Sequence, residues 1–350
     1  MVRLLIVLLM SASLSGCYYL QAASGQWEVL RKRVPLEDVI NDPNTNPALV
    51  SRLTLLDEAR DFSVEQLGLP DNDSYRSYSD LERDFVVWNV FAAPEFSLQP
   101  RQWCYPIAGC VSYRGYFAKE AAIKQSRKLA ADGFDVAIGG VAAYSTLGKF
   151  DDPILSTMMN WDDLDLVALL FHELAHQVVY SKDDSGFNES FATAVEEIGV
   201  ERWLRARGKF AQMKSYRAGR ERRQAIARLV EAARTDLEIV FGSDVPEREK
   251  RIGKDKRLQR LGAEVAALRQ ANGEDVGGWF GGDLNNAKLI STTLYEGQLP
   301  MFRALFRRCE EQLDCFYARA LALSKMGADA RQAALAAGDF EGLGRGMDQT

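Results

Sequence analysis

The chain contains two histidines in 350 residues, and they stand four apart in His172-Glu173-Leu174-Ala175-His176. On a helix, positions i and i+4 share a face, so both imidazoles can reach a single metal ion. The intervening glutamate, one residue along, falls beside the open coordination position. A general base for a zinc-bound water belongs there, which makes Glu173 the catalytic candidate. Apolar flanks, Leu166 to Phe171 and Val178-Val179, fit a buried helix, and Asp162, Asp163 and Asp165 fit its N-terminus. Without a shared ligand, two histidines inside an apolar helix would be costly polar burials.

With no third histidine, the remaining protein ligand must be a carboxylate or a cysteine. A hydrolytic zinc site uses three protein ligands and keeps the fourth position for water. A polar loop, Ser181 to Gly186, follows the motif. Beyond it Phe187 to Glu197 has helical periodicity, with Ala and Phe on one side. A helix turning back at Gly186 would run antiparallel to the first and point Glu189 at the two imidazoles. Glu189 is therefore the nearest third ligand for one zinc per chain, with Glu196 and Glu197 as competitors. Thr193 and Glu196 share its face and could orient a ligand imidazole.

The elements that must position these residues are those of an α+β chain. It is mostly helical, with a small mixed sheet before the active-site helix. Residues 21–69 read as helical, with breaks at Pro35 and at 44–47. Residues 84–91, 94–117 and 134–145 read as extended, and 118–131 as helix. From Glu201 to Gln270 the composition shifts to Arg, Lys, Ala and Leu, with 19 basic and 10 acidic side chains. That leaves the rest of the chain near −15 within a total of −6. A break at 242–246 predicts two long helices meeting in a hairpin. Such a basic arm could touch anionic polymer or lipid, or simply be solvated over the site. A net-acidic, exported chain is a poor nucleic-acid binder.

His172-Glu173-x-x-His176 combined with Asn188-Glu189-x-x-Ala192 resembles the gluzincin metallopeptidases, typified by thermolysin and its related aminopeptidases. The spacing to the glutamate is shorter here than in those two. More closely, most of the chain is similar to a bacterial envelope lipoprotein family of predicted zinc aminopeptidases. The shared stretches include Trp103-Cys104-x-Pro106-x-x-Gly109-Cys110, Tyr113-Arg114-Gly115-Tyr116-Phe117 and Ala143 to Gly148. Asp152 to Ser156 and Asn285-Asn286-Ala287 continue them. The resemblance implies a zincin-like catalytic domain formed by 17–200 and 281–350, with the basic hairpin (201–280) packed on or inserted into it. It implies zinc-dependent hydrolysis of a peptide substrate, with an aminopeptidase as the leading activity. An endopeptidase, or an inactive lipoprotein that binds a partner, stands as the alternative. It further implies an edge strand at 143–155 that holds substrate backbone. A tyrosine must also stabilise the oxyanion, since no histidine remains. Tyr295, after the Asn285-Asn286-Ala287 stretch, is the first candidate, and Tyr113, Tyr116 and Tyr144 are its rivals.

Residues Met1 to Met10 carry one positive charge and then seven apolar residues, too few to span a bilayer and apt for an export signal. Leu14-Ser15-Gly16-Cys17 looks like the lipobox of a bacterial lipoprotein. By that resemblance residues 1–16 are a signal peptide and Cys17 is the lipidated first residue. Tyr18 at the next position favours the outer membrane, facing the periplasm. The other cysteines form two equally spaced pairs, Cys104/Cys110 and Cys309/Cys315. An exported chain favours disulfides, of which local closure is the simplest of three connectivities.

Overall fold

A computed structural model describes residues 18–105, 109–182, 184–275, 277–293 and 298–338. Helix dominates, and every strand precedes the helix that carries the histidines. The N-terminal helix α1 (18–31) leads into strand β1 (Arg33–Pro35) and helices α2 (Leu36–Asn41) and α3 (Pro47–Glu65). Breaks at Pro35 and before Pro47 arise because proline lacks a backbone donor and disfavours helix in the residue ahead of it. Asn46 caps α3 by accepting the Ala48 N–H.

In place of one small mixed sheet there are three. Strand β2 (Ser77–Ser79) pairs antiparallel with β1 and parallel with β8 (Ile154–Leu155), and this sheet is the mixed one. Strand β3 (Val87–Pro94) lies antiparallel between β6 (Tyr113–Tyr116) and β7 (Phe134–Val141). A ribbon joins β4 (Trp103–Tyr105) to β5 (Gly109–Val111), cross-linked by Cys104–Cys110. Alternation along β3 and β6 separates two faces. Val90, Ala92 and Tyr116 pack beneath helix α4 (Lys119–Ala131), whereas Val87, Asn89, Tyr113 and Gly115 face the opposite way, into a cleft.

The expected edge strand at 143–155 is not formed. Only Ile154 and Leu155 are extended, and both are buried in the mixed sheet. Residues between them and β7 turn instead, because the buried Asp152 carboxylate accepts from Thr146 N (2.7 Å) and Thr146 Oγ1 (3.0 Å). The sheet edge bordering the cleft belongs to β7, where Gly140 and Val141 line the wall.

Helix α5 (Asp163–Ala175) carries the motif, and α6 (Ser185–Ala206) folds back along it. Leu166, Leu170, Phe171 and Leu174 of α5 are fully buried against Phe187, Phe191 and Val195 of α6. Gly199 permits this approach: a Cβ there would stand 2.7 Å from the Phe171 ring and 2.8 Å from Leu67. The reversal between the helices is clamped by Asn188. Its carboxamide accepts from Ser181 N (2.7 Å) and donates to Ser181 O (2.8 Å). Residue 200 lies inside α6, so the long helical pair begins only with α7 (Phe210–Gly242), followed by α8 (Glu247–Ala271). These two run antiparallel, as the Arg257–Asp236 and Arg222–Glu274 ion pairs require. Val230, Leu237, Leu261 and Val265 meet in their interface together with Leu98 and Leu289.

Helix α9 (Asn286–Thr293) then sits across the sheet. The Asn286 carboxamide, fully buried, donates to the carbonyls of Pro94, Glu95 and Ser97, and the Asn286 N–H donates to Asp135. Lys254 of α8 bonds the same Asp135 carboxylate at 2.6 Å. Thus Asn285-Asn286-Ala287 is a structural knot between sheet and hairpin. Helices α10 (Leu299–Arg308), α11 (Leu313–Ser324) and α12 (Ala328–Ala337) complete the core over α6, with Cys309–Cys315 closing the α10–α11 turn. Among the described residues no helix is long and apolar enough to cross a membrane.

One buried cation organises the loop behind the motif. Arg60 of α3 is fully buried and donates to Ser74 O (2.9 Å), Pro70 O (2.7 Å) and Asn72 O (2.8 Å). Asn72 and Ser74 in turn hold Gln177, the residue after His176. Removing the guanidinium while keeping its bulk strands three carbonyls, each worth roughly 1–3 kcal/mol when buried and unpaired. Arg60→Met should therefore lose at least about 3 kcal/mol of unfolding free energy in urea. A loss below about 1 kcal/mol would show that the loop holds itself.

Candidate metal centre

The last two turns of α5 and the first two of α6 meet at a polar nest inside an otherwise apolar interface. His172, Glu173 and His176 are 9%, 8% and 8% exposed. Glu189 Oε2 lies 3.2 Å from His172 Nε2 and 3.8 Å from His176 Nε2. The imidazoles are 5.0 Å apart, ring to ring, and nearly perpendicular. One donor atom from each of His172, His176 and Glu189 falls within 4.8 Å of the others. Two ligands bonded at about 2.0–2.1 Å in a tetrahedral site stand roughly 3.4 Å apart, so the nest has the size for a small divalent cation. His176 supplies a second sign of fit. Its Nδ1 is buried with no hydrogen-bond partner among the described residues. Its Nε2 is too far from Glu189 for a good hydrogen bond. A cation between Nε2 and the carboxylate would satisfy Nε2 and leave Nδ1 to a further partner.

Around the nest the remaining acids divide by partner. Glu196 Oε2 lies 3.2 Å from His172 Nδ1, where it can hold the ring's tautomer, and Tyr216 donates weakly to its other oxygen. Glu197 points away and is consumed by Arg220 and Arg303. Of the three candidate glutamates on α6, Glu189, Glu196 and Glu197, only Glu189 therefore addresses both histidines. Thr193 lines the cleft nearby. Glu173 has no hydrogen-bond or ion-pair partner among the described residues, and its carboxylate opens on the cleft.

Electrostatics follow from that crowding. Burial pushes the Glu173 carboxyl up to about 7, helped by Glu189, Asp152 and Glu196 and opposed by His172. Burial lowers His176 to about 4, and the charge of His172 adds to this. Burial also acts to lower His172, but its hydrogen bonds to Glu189 and Glu196 outweigh this and hold it well above 6.5. The two carboxylates thus favour the charged form of His172, while burial favours the neutral form of His176.

The nest opens into a cleft of about 1370 Å³. One wall is the β3–β6–β7 face with Asn89 and Tyr113, and the opposite wall includes Arg220 and Arg223 of α7. Tyr113 is the tyrosine rival that faces the site. The negative charges of Glu189 and Glu173 reach its hydroxyl and, after burial, keep its pKa above the usual range. Tyr116 lies on the other face of the sheet, and the Tyr144 hydroxyl is bonded to Gln26. Tyr295 and Cys17 lie outside the described residues. As acceptors for a substrate amine, Asp152 is committed to Thr146 and Asp151 stands near Arg33, while Glu296 lies outside the described residues. Spacing carried no signal for Asn188, Gln177, Arg303 or Tyr216, whose roles depend on residues remote in sequence.

A family described as "Putative aminopeptidase" has a model that matches residues 17–335. Neither the curated proteins nor the solved structures contain a match.

Cation binding should expel protons, because both ring nitrogens facing Glu189 must be neutral to act as ligands. Near pH 7 the His172 proton must leave, so affinity should rise with pH until that group titrates. Calorimetry in two buffers of different ionisation enthalpy should show about one to two protons released per Zn²⁺; zero release would contradict this charge assignment. Glu189→Gln should abolish tight binding, whereas Glu196→Gln should weaken it about 10- to 100-fold and Glu197→Gln should leave it intact. Full affinity in Glu189→Gln would move the ligand elsewhere.

Proposed function

We propose that this chain, which belongs to the family described as "Putative aminopeptidase", is a zinc-dependent peptidase of the bacterial cell envelope that removes residues from peptide N-termini. The observation that carries the reading is the pairing of a buried two-histidine, one-carboxylate donor set with an uncommitted glutamate beside it. Imidazole with one carboxylate suits zinc, and three protein ligands leave a position open, as hydrolysis requires. Zinc held by His172, His176 and Glu189 would polarise the scissile carbonyl and make water a stronger nucleophile at neutral pH.

The chain's own groups supply the rest. Glu173 takes the proton of the attacking water and delivers it to the leaving amine nitrogen. A carboxyl raised to about 7 is matched to doing both near neutrality. Glu196 holds the His172 ring through Nδ1. Tyr113, kept protonated by its surroundings, is the described residue suited to donate a hydrogen bond to the tetrahedral oxyanion. The outer edge of β7 at Gly140 offers backbone groups to an extended peptide. The envelope location rests on the apolar run Leu4–Met10 and the lipobox-like Leu14 to Cys17. The uncommitted Glu173 speaks against an inactive, partner-binding lipoprotein, since metal binding does not call for it.

Cleft volume favours an assay that keeps endopeptidase activity in view, since about 1370 Å³ exceeds the 300–1,000 Å³ typical of small-ligand pockets. Glu173→Gln should keep its zinc and its melting temperature while kcat/KM drops about 10²- to 10⁴-fold. Aminoacyl reporters and free peptides should be cleaved, and the same peptides with blocked N-termini spared. Equal cleavage of blocked peptides would replace the aminopeptidase with an endopeptidase. If zinc-loaded wild type cuts neither, or Glu173→Gln is fully active, the mechanism is wrong.

A further inference from the structure

Helix α1 has its polarity reversed relative to an ordinary surface helix. Its polar side chains turn inward. Gln21 donates to Gly115 O (3.4 Å) and accepts from Phe117 N (3.2 Å), Gln26 bonds the Tyr144 hydroxyl, and Glu28 pairs with Arg83 at 2.9 Å. Gly25 lies so close to Phe117 that any Cβ would overlap the ring. The inner face is thus pinned to β6 and to the loop beyond β7.

Outward, at i, i+3 and i+7, stand Leu20, Ala23 and Trp27, with Arg31 one further turn on. Leu20 is 70% exposed and Trp27 67%. Leu20 and Trp27, seven residues apart, share one side of α1 and form an exposed apolar stripe. Arg31 is exposed and has no ion-pair partner among the described residues. Just upstream, the sequence holds the uncharged apolar run Leu4–Met10 and then Cys17, next to the helix. On the lipoprotein reading, on which this inference rests, a lipid on Cys17 would bring the bilayer to the start of α1.

We infer that the outer face of α1 lies in the headgroup region of a phospholipid bilayer. Leu20 and Trp27 would enter the acyl boundary, and Arg31 would meet lipid phosphate. The opposite face of α1 lines the cleft through Tyr18, Ala22 and Gln26. Docking there would place α1 between the bilayer and the cleft wall. This inference does not depend on the zinc or peptidase assignments.

Tryptophan quenching in vesicles tests it directly. The full chain would be reconstituted into phosphatidylethanolamine–phosphatidylglycerol vesicles carrying lipids brominated near the headgroup or near the chain end. Wild type should show a quenched component that Trp27→Phe lacks, quenched about twofold more strongly by the shallow bromines. Leu20→Asp should reduce it with an unchanged far-UV spectrum. Equal quenching in wild type and Trp27→Phe would overturn the proposal. So would a detergent-solubilised dimer that dissociates in Trp27→Asp, because a second copy would then own the face.

Discussion

Two carboxylates of α6 facing the two ring nitrogens of His172 constitute the interaction on which the rest of this structure depends. An imidazolium removed from water is unfavourable by several kcal/mol unless opposing charge meets it in good geometry. Glu189 and Glu196, seven residues apart and so on one face of α6, provide that charge, each at 3.2 Å. Truncating either would strand the other groups in a pocket less than one-tenth exposed. The same arrangement leaves a cation-sized space beside His176, and burial, aided by the neighbouring carboxylates, raises the Glu173 carboxyl to about 7.

Holding that arrangement demands a close crossing of α5 and α6, and much of the core serves it. Gly199 lets the helix backbones approach, Asn188 clamps the reversal, and Asp184 caps α6 while pairing with Arg331. Arg220 and Arg303 draw off Glu197, which would otherwise add a third negative charge to the same face. From the other side Arg60 orders the 70–74 loop that holds Gln177, fixing the end of α5 just past His176. Buried polar groups here are satisfied by chain segments far apart in sequence, so local choices in one helix depend on the whole fold.

The cleft wall has a separate origin. Strand alternation turns Asn89, Tyr113 and Gly115 toward the site and their neighbours onto α4, and the Asn286 carboxamide ties sheet, α8 and α9 together through three carbonyls. That knot lies behind the sheet; Tyr295 lies outside the described residues, and of the described tyrosine candidates Tyr113 is the one turned toward Glu189 and Glu173.

What the sequence determined by itself is local. The i, i+4 histidines share a helix face whatever surrounds them, and the glutamate beside them follows from the same geometry. Proline and asparagine set the N-terminal helix breaks; the cysteine spacing left three connectivities open, and the fold closed each pair on itself. Glu189 could be favoured over its competitors because an antiparallel return fixes which turn of α6 comes opposite the motif. Tertiary structure alone decided the rest. One sheet became three because short strands had no periodicity to say which partners they would meet, and 143–155 became a turn because a buried Asp152 needed the Thr146 donors. Glu197 was separated from Glu196 by arginines of α7 and α10 that no spacing could reveal. Pairing across more than a hundred residues depends on which faces the packed core brings together.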